Sequence, residues 1–356
     1  MERNYHAAVR WLMAAKESGS PDVLYYLGLC YENGYIENEP KEMSIELFKE
    51  AAENGHIIAQ YKLGSIYLNS ASTESSLEIA LDWIHKSASQ GYVPAQSALG
   101  NIFEPYNLEV SIQWTTKAAN NGDVNAQFKL GVNYYPGGKY ETDITRALYW
   151  LEMARQNGSH RASALLAEAQ FEGIGGVVQN YSKAVNTFSE LQNCGDEMVE
   201  SLVSGYLGLA YYYGYGTIKD RKQAFKYLTT SEAKGHLCAN GQFVLGLYYF
   251  NGEIVARNYE KAFKYFSIAH SREQKYATCA LGVCYLHGKG VLKDKSKGIE
   301  LLIEASQKGV HEATDFLKDK HCIDGDFEST TEIMGAILGT IAKETVIRVI
   351  GGNYED

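Results

Sequence analysis

Apolar residues along the chain gather in short runs around glycine, and one pair, leucine followed by glycine, returns at a nearly constant distance. The leucines of this first column are Leu27, Leu63, Leu99, Leu130, Leu166, Leu207, Leu245 and Leu281, and only Leu166 is followed by alanine instead of glycine. Successive leucines are separated by 36, 36, 31, 36, 41, 38 and 36 residues. Self-similarity at a period of about 20–50 residues is typical of repeat architectures. The chain is therefore predicted to be a repeat protein.

A second column of glycines recurs at a nearly constant distance from the first. Its members are Gly19, Gly55, Gly91, Gly122, Gly158, Gly195, Gly235 and Gly309, with Glu273 in the remaining slot. From this column to the next first-column glycine or alanine the distance is 9 residues, except 13 after Gly195 and 11 after Gly235. Glycine is the usual residue that ends a helix in the left-handed conformation. We expect the second helix of each repeat to end there.

The first helix of each repeat, helix A, carries an aromatic residue three positions after the first-column glycine. This set is Tyr31, Tyr67, Phe103, Tyr134, Tyr211, Tyr249 and Tyr285. Leucine and an aromatic residue four positions apart share one helical face. The glycine between them allows a neighbouring helix to approach closely.

The second helix, helix B, carries a large residue eight positions before the second-column glycine. This set is Trp11, Leu47, Trp83, Trp114, Trp150, Thr187, Tyr227, Tyr265 and Leu301. All four tryptophans of the protein fall in it, so we expect it to lie in the core. Between the helices, Gly214 and Gly216 supply a turn with positive φ, and Asp220 or Asp294 can cap the incoming helix B.

Composition limits the possible functions. The chain has 356 residues, 45% of them hydrophobic, and a formal net charge of −10. This charge argues against general nucleic-acid binding, which needs a basic surface. The N-terminus lacks the apolar segment of a secretory signal, and no apolar run approaches the roughly 20 residues of a membrane span, so a cytoplasmic location is expected. The six scattered cysteines are interpreted as reduced thiols.

Candidate chemistry is sparse. His56, His160, His236 and His311 lie at the starts of helices A, where a structural role is expected. A metal site at Cys279, Cys284 and His287 lacks a fourth ligand, and the two cysteines lie about 140° apart on a helix. The glycines at 173–176 do not follow a strand, so they do not form a phosphate loop. No metal, cofactor or catalytic residue is predicted, and the chain is not expected to be an enzyme.

The order leucine–glycine, aromatic, glycine turn, aspartate, large residue and glycine resembles the Sel1-like repeat, a relative of the tetratricopeptide repeat. Residues 207–236 and 281–310 match the pattern best, and the resemblance extends over roughly residues 5–320. It implies an all-α fold, a right-handed superhelical solenoid of antiparallel helix pairs with a concave groove. It also implies an adaptor that binds protein partners. A solenoid offers one long concave surface because each repeat touches only its neighbours.

By the same resemblance, positions one, four and five after the first-column glycine face the groove. Aromatic and amide side chains there favour a protein or peptide interface. The predicted partner-binding residues are Tyr135, Phe171, Tyr212, Tyr213, Phe250, Asn251 and His287. The alternative that these rings only cover the seams between repeats remains open. A sugar or nucleobase platform is disfavoured because no basic surface accompanies the rings.

The ends divide the chain into three predicted parts. Residues 1–20 form an N-terminal capping helix, residues 21–320 about eight repeats, and residues 321–356 a C-terminal capping or docking helix and tail. The charges at Glu332, Lys343, Glu344 and Arg348 exclude a membrane span in the last part. This last part is expected either to cap the end of the solenoid or to serve as a helix for docking or dimerisation.

Two functions from different classes remain. The first is a non-enzymatic adaptor that holds a protein or peptide in the groove. The second is a specific inhibitor or immunity-type protein that sequesters one enzyme or toxin. Tight one-to-one binding with loss of the target's activity would distinguish the second.

Overall fold

A computed structural model describes residues 5–36, 42–71, 73–235 and 237–318 of the chain. The chain divides into two compact units, Met1–Ser159 (unit 1) and His160–Asp356 (unit 2). Each unit is described by itself. The predicted C-terminal helix and tail at 321–356 lie outside the described residues.

Every regular element in these ranges is a helix, as predicted. In unit 1 they are α1 (Tyr5–Ala15), α2 (Pro21–Glu32), α3 (Met43–Glu53), α4 (Ile57–Ser70), α5 (Glu74–Ser89), α6 (Val93–Phe103), α7 (Leu108–Asn120), α8 (Val124–Tyr134) and α9 (Ile144–Gln156). In unit 2 they are α10 (His160–Glu172), α11 (Tyr181–Glu190), α12 (Glu197–Tyr213), α13 (Arg221–Ala233), α14 (Ala239–Asn251), α15 (Tyr259–Ser271), α16 (Lys275–His287), α17 (Lys295–Gln307) and α18 (His311–Lys318). Even-numbered helices are helices A and odd-numbered helices are helices B. None of the described helices is both long and apolar enough to cross a bilayer.

The helix boundaries follow the predicted caps. The Asp220 carboxylate accepts hydrogen bonds from the backbone N–H groups of Lys222 and Gln223 at 2.9 and 3.0 Å, and begins α13. The Asp294 carboxylate accepts from the N–H of Lys297 at 3.0 Å and begins α17. Each satisfies donors that a helix leaves unpaired in its first turn.

The second column adopts the left-handed conformation along its whole length. Gly19, Gly55, Gly91, Gly122, Gly158, Gly195, Gly235 and Gly309 have φ between 64° and 91°. Glu273 shares it with φ 63° and is the one non-glycine residue with positive φ in the described ranges. The backbone requirement of the repeat therefore holds even where the sequence supplies the wrong residue for it.

The first-column glycines bring each helix A against its own helix B. A Cβ atom at Gly208 would lie 2.6 Å from Cγ of Leu228, and one at Gly64 would lie 2.6 Å from Cγ1 of Ile84. The opposing side chains directly follow the tryptophan column in sequence. Because the two helices of a pair are joined by a short turn, this contact closes an antiparallel hairpin. The predicted helix pairs are confirmed.

Adjacent repeats of unit 1 are joined by a chain of buried amides that the sequence analysis missed. Gln96 Nε2 donates to the Ala88 carbonyl of the preceding helix B at 3.1 Å. Its Oε1 accepts from Asn121 Nδ2 of the following helix B at 2.9 Å. Gln60 and Gln127 repeat this arrangement. A buried amide is tolerated because both of its ends are hydrogen-bonded.

The tryptophan column is only partly in the core. Trp114 and Trp150 are buried, as predicted, and Trp83 is half-buried. The prediction was wrong for Trp11, which is 78% exposed. Helix α1 buries none of its residues, and within the described part of the chain no helix A precedes it to cover this face.

Replacing Glu273 with glycine should stabilise the fold by roughly 0.5–1 kcal/mol, because a Cβ atom is penalised in the left-handed region. Chemical denaturation measures the gain as an increase in the free energy of unfolding of unit 2. Glu273→Ala is the matched control, since it removes the charge and keeps the Cβ. An equal gain from alanine would show that charge, and not backbone conformation, limits this position.

Gly208→Ala should destabilise the fold by about 1–3 kcal/mol, because the new methyl group overlaps the Leu228 side chain. In the double variant Gly208→Ala/Leu228→Ala the two losses should be less than additive, because truncation of Leu228 makes room for the methyl. If the two losses in free energy of unfolding, measured by denaturant titration, were fully additive, the contact between Gly208 and Leu228 would be contradicted.

Candidate partner-binding surface

The structure divides the seven predicted partner-binding residues into two groups. Tyr135, in unit 1, is 9% exposed, and in unit 2 Phe171, Tyr212 and Phe250 are 4%, 2% and 2% exposed. Tyr213, Asn251 and His287 are half-buried. The four buried rings are packed inside their own units, so a partner could contact little of them directly. Their predicted binding role therefore has no support from their exposure.

Contacts within unit 2 explain why the rings are buried. The Phe171 ring meets Tyr181 and Tyr206 with centroids 5.0 and 5.3 Å apart. The Tyr212 ring meets Tyr248 at 5.4 Å, and the Arg221 guanidinium lies 3.8 Å from the Tyr212 centroid. Such edge-to-face and cation–π contacts add to the burial of apolar area. These rings are parts of the seams between helices.

Tyr213 and Tyr215 belong to a stack of three rings. Tyr213 stacks on Tyr215 at 5.0 Å, and Tyr215 stacks on Tyr181 of α11 at 4.5 Å, each with an interplanar angle of 17°. The stack ties the turn after α12 to the start of the preceding helix B. Tyr212, Tyr213 and Tyr215, which belong to neither repeat column, thus connect neighbouring repeats.

The half-buried predicted residues occupy one equivalent position. Tyr213, Asn251 and His287 are the last residues of α12, α14 and α16, and each precedes a glycine with positive φ. Glu172 is the last residue of α10 and precedes Gly173 in the same way. We call Glu172, Tyr213, Asn251 and His287 the end row. One member ends each of α10, α12, α14 and α16, and the four side chains are an acid, a phenol, an amide and an imidazole.

His287 has an unusual environment within the end row. Burial and the positive charges of Lys293, Lys289 and Lys295 lower the pKa of its imidazole. Its Nε2 atom is buried and has no hydrogen-bond partner among the described residues. The ring is therefore held in its neutral form at neutral pH.

Burial raises the pKa values of two thiols and one carboxyl group in unit 2. Burial raises the pKa of the Cys238 thiol to about 11 and that of the Cys279 thiol to about 12. Glu168 accepts a hydrogen bond from the Tyr206 hydroxyl at 2.8 Å, and burial raises the pKa of its carboxyl group. Glu168 lies one residue after Ala167, a position that the repeat pattern assigned to the groove but the site prediction omitted. The described residues hold no group of three or more potential metal-ligating His, Cys, Asp or Glu side chains.

Comparison with protein families finds a match to the Sel1 repeat. The matched segments are residues 1–20, 21–56, 57–92, 95–123, 124–159, 160–186, 204–236, 239–269 and 275–310. Together they extend over well more than half of the chain. Among curated proteins there is no match.

Solved structures support the same fold. The chain is similar to c5321, a protective antigen of uropathogenic Escherichia coli that displays an SLR fold, with 24% identity and a TM-score of 0.59 over 93% of this chain and 72% of that one. It is also similar to a Sel1 repeat protein from Oxalobacter formigenes, with 24% identity and a TM-score of 0.56 over 88% of this chain and 90% of that one. At this level of identity the likeness shows the solenoid fold alone.

Glu168→Gln should raise the stability of unit 2 at neutral pH. The folded carboxyl has a raised pKa, so the unfolded chain ionises first and stability is lost as pH rises above the ordinary glutamate pKa of about 4.3. Glutamine keeps an acceptor for the Tyr206 hydroxyl without this loss. The gain, measured by thermal unfolding, should disappear at low pH, and a gain independent of pH would contradict the assignment.

Proposed function

Because the chain belongs to the Sel1-repeat family, we propose that it is a non-enzymatic scaffold that binds a protein partner through the end row of unit 2. Proteins of this family generally mediate protein–protein interactions. The observation that carries the proposal is the repetition of one half-exposed position at the ends of consecutive helices A. A repeated position lets an extended partner contact several repeats at once.

The buried rings support the proposal through rigidity. The Tyr213 ring is held against Tyr215 and Tyr212, with centroids 5.0 and 4.9 Å apart. The half-buried Tyr213 side chain therefore meets a partner from a fixed position. A side chain that is already ordered loses less conformational entropy on binding, which favours affinity.

The chemistry of the site also favours binding over catalysis. The raised thiol pKa values of Cys238 and Cys279 disfavour thiolate nucleophiles. Among the described residues no hydrogen-bond partner holds Nε2 of the neutral His287 imidazole, so nothing there orients it as a general base. We also infer a reducing compartment, the cytoplasm, from the free thiols of Cys30, Cys194, Cys238, Cys279 and Cys284.

Affinity capture from native lysate, followed by quantitative mass spectrometry, tests the proposal. The test variant is Glu172→Gln/Asn251→Ala/His287→Asn, which changes three half-buried side chains of the end row and leaves the packed Tyr213 ring in place. The retained partner should be depleted about tenfold or more, as expected when central interface contacts are lost. A control variant, Tyr149→Phe/Met198→Ala/Ile303→Asn, changes exposed side chains elsewhere and should retain it.

Equal retention by wild type and the end-row variant, with both folded by circular dichroism, would contradict the proposed site. A retained enzyme whose activity is lost in a one-to-one complex would favour the narrower inhibitor function. Steady turnover of a substrate by the purified chain would contradict the non-enzymatic proposal.

A further inference from the structure

The turns between helices A and B in unit 2 expose apolar side chains at one repeated position. Two residues before the helix B cap lie Val178, Ile218, Ala256 and Leu292. Val178, Ile218 and Leu292 are 85%, 87% and 88% exposed, the highest values for large apolar side chains in the described ranges. A lone exposed apolar residue needs no explanation, but a repeated one does.

Folding of the turn does not account for this exposure. The residue just before the exposed one is half-buried in each turn, and Val255 and Val291 pack against the core at this position. In two of the turns, therefore, an apolar residue serves the core at this position. The next residue points to solvent and adds nothing to the buried area.

A basic residue follows the exposed position in three of the four turns. These residues are Lys219, Arg257 and Lys293, and Gln179 takes the place in the remaining turn. Lys219 and Lys293 are exposed and make no ion pair within the described part of the chain. Each also lies near the C-terminal end of a helix A, where a cation is favourable. The nearby helix end explains why a basic residue is found at this position. It does not explain why the residue before it is apolar and exposed.

The turns that carry Ile218 and Leu292 rest on the starts of neighbouring helices B and so are held in place. A Cβ atom at Gly216 would lie 2.5 Å from the carbonyl carbon of Tyr181, which places the turn 214–220 against the start of α11. Gly290 approaches Tyr259 at the start of α15 in the same way. Beside it lies a cleft of about 680 Å³ lined by Asn258, Tyr259, Glu260, Gly288, Gly290 and Val291. The Ile218–Lys219 and Leu292–Lys293 pairs therefore project from turns that packing holds in place.

We propose that this turn edge, residues 177–180, 217–220, 255–258 and 291–294, is a second docking surface that binds an acidic protein segment bearing apolar side chains. Carboxylates pair with Lys219, Arg257 and Lys293, and apolar side chains cover Ile218 and Leu292. The net charge of the chain favours a short segment over an anionic membrane as the occupant. The chain carries −10 overall, which repels an extended anionic surface, whereas a short segment senses the local cations within about one Debye length, roughly 8 Å.

A random 12-residue peptide library displayed on phage, panned against the purified chain, tests the docking surface. The wild type should enrich peptides that combine Asp or Glu with Leu, Ile or Phe. For a synthesised enriched peptide, Lys219→Glu/Lys293→Glu should raise the Kd about tenfold or more in fluorescence anisotropy. Ile218→Ser/Leu292→Ser should weaken binding as well, and both effects should leave thermal unfolding nearly unchanged.

Two control variants separate local contacts from general effects. Lys226→Glu/Lys264→Glu changes the net charge of unit 2 by the same amount at exposed positions within α13 and α15, away from the turn edge. Tyr106→Ser removes an 84% exposed aromatic side chain from a turn of unit 1. Both should bind the peptide as the wild type does. The proposal is overturned if no peptide is enriched, if enriched peptides lack acidic residues, or if the charge-reversal variant and its control bind equally. Sedimentation with phosphatidylserine vesicles that depends on Ile218 and Leu292, without any peptide binding, would overturn it in favour of a membrane surface.

Discussion

Close contact between a glycine of helix A and a large side chain of helix B is the constraint on which the rest of the structure depends. At Gly246 the opposing side chain is Phe266, at Gly131 it is Leu151, and a Cβ atom at either glycine would overlap it. The contact fixes how near the two helices of a pair lie. Protein interiors are packed too tightly to absorb an added methyl group without strain. Since the pair is the unit of the fold, its repetition sets the positions of every turn and helix end.

The sequence predicted what this constraint requires. The two glycine columns, the left-handed helix ends and the Asp220 and Asp294 caps are confirmed, because each is a local backbone requirement that only a few residue types satisfy. Glu273 is the informative exception. The repeat places it in the left-handed region although its side chain disfavours that conformation, so tertiary packing overrides local preference there.

The groove residues were harder to predict because two helices A of unit 2, α14 and α16, are buried on more faces than α6 of unit 1. In α14 every residue from 241 to 248 is buried, and in α16 every residue from 276 to 284, so these helices are covered on all faces. In α6 the buried residues lie on one face, at Ala95, Gln96, Leu99 and Gly100. Unbroken apolar runs such as residues 243–250 contained this signal, since a helix that is apolar all round is a buried one. The repeat pattern treated all helices A alike and therefore assigned buried rings to a surface.

What is left for recognition is the set of side chains that packing leaves partly or fully exposed: the end row and the exposed turn positions of unit 2. Hydrogen–deuterium exchange of the chain with and without its captured partner tests this claim most directly. The account predicts slower exchange at the ends of α12, α14 and α16 and in the turns that follow them, with peptides of unit 1 unchanged. Protection confined to unit 1, or to the helices B of unit 2, would contradict it.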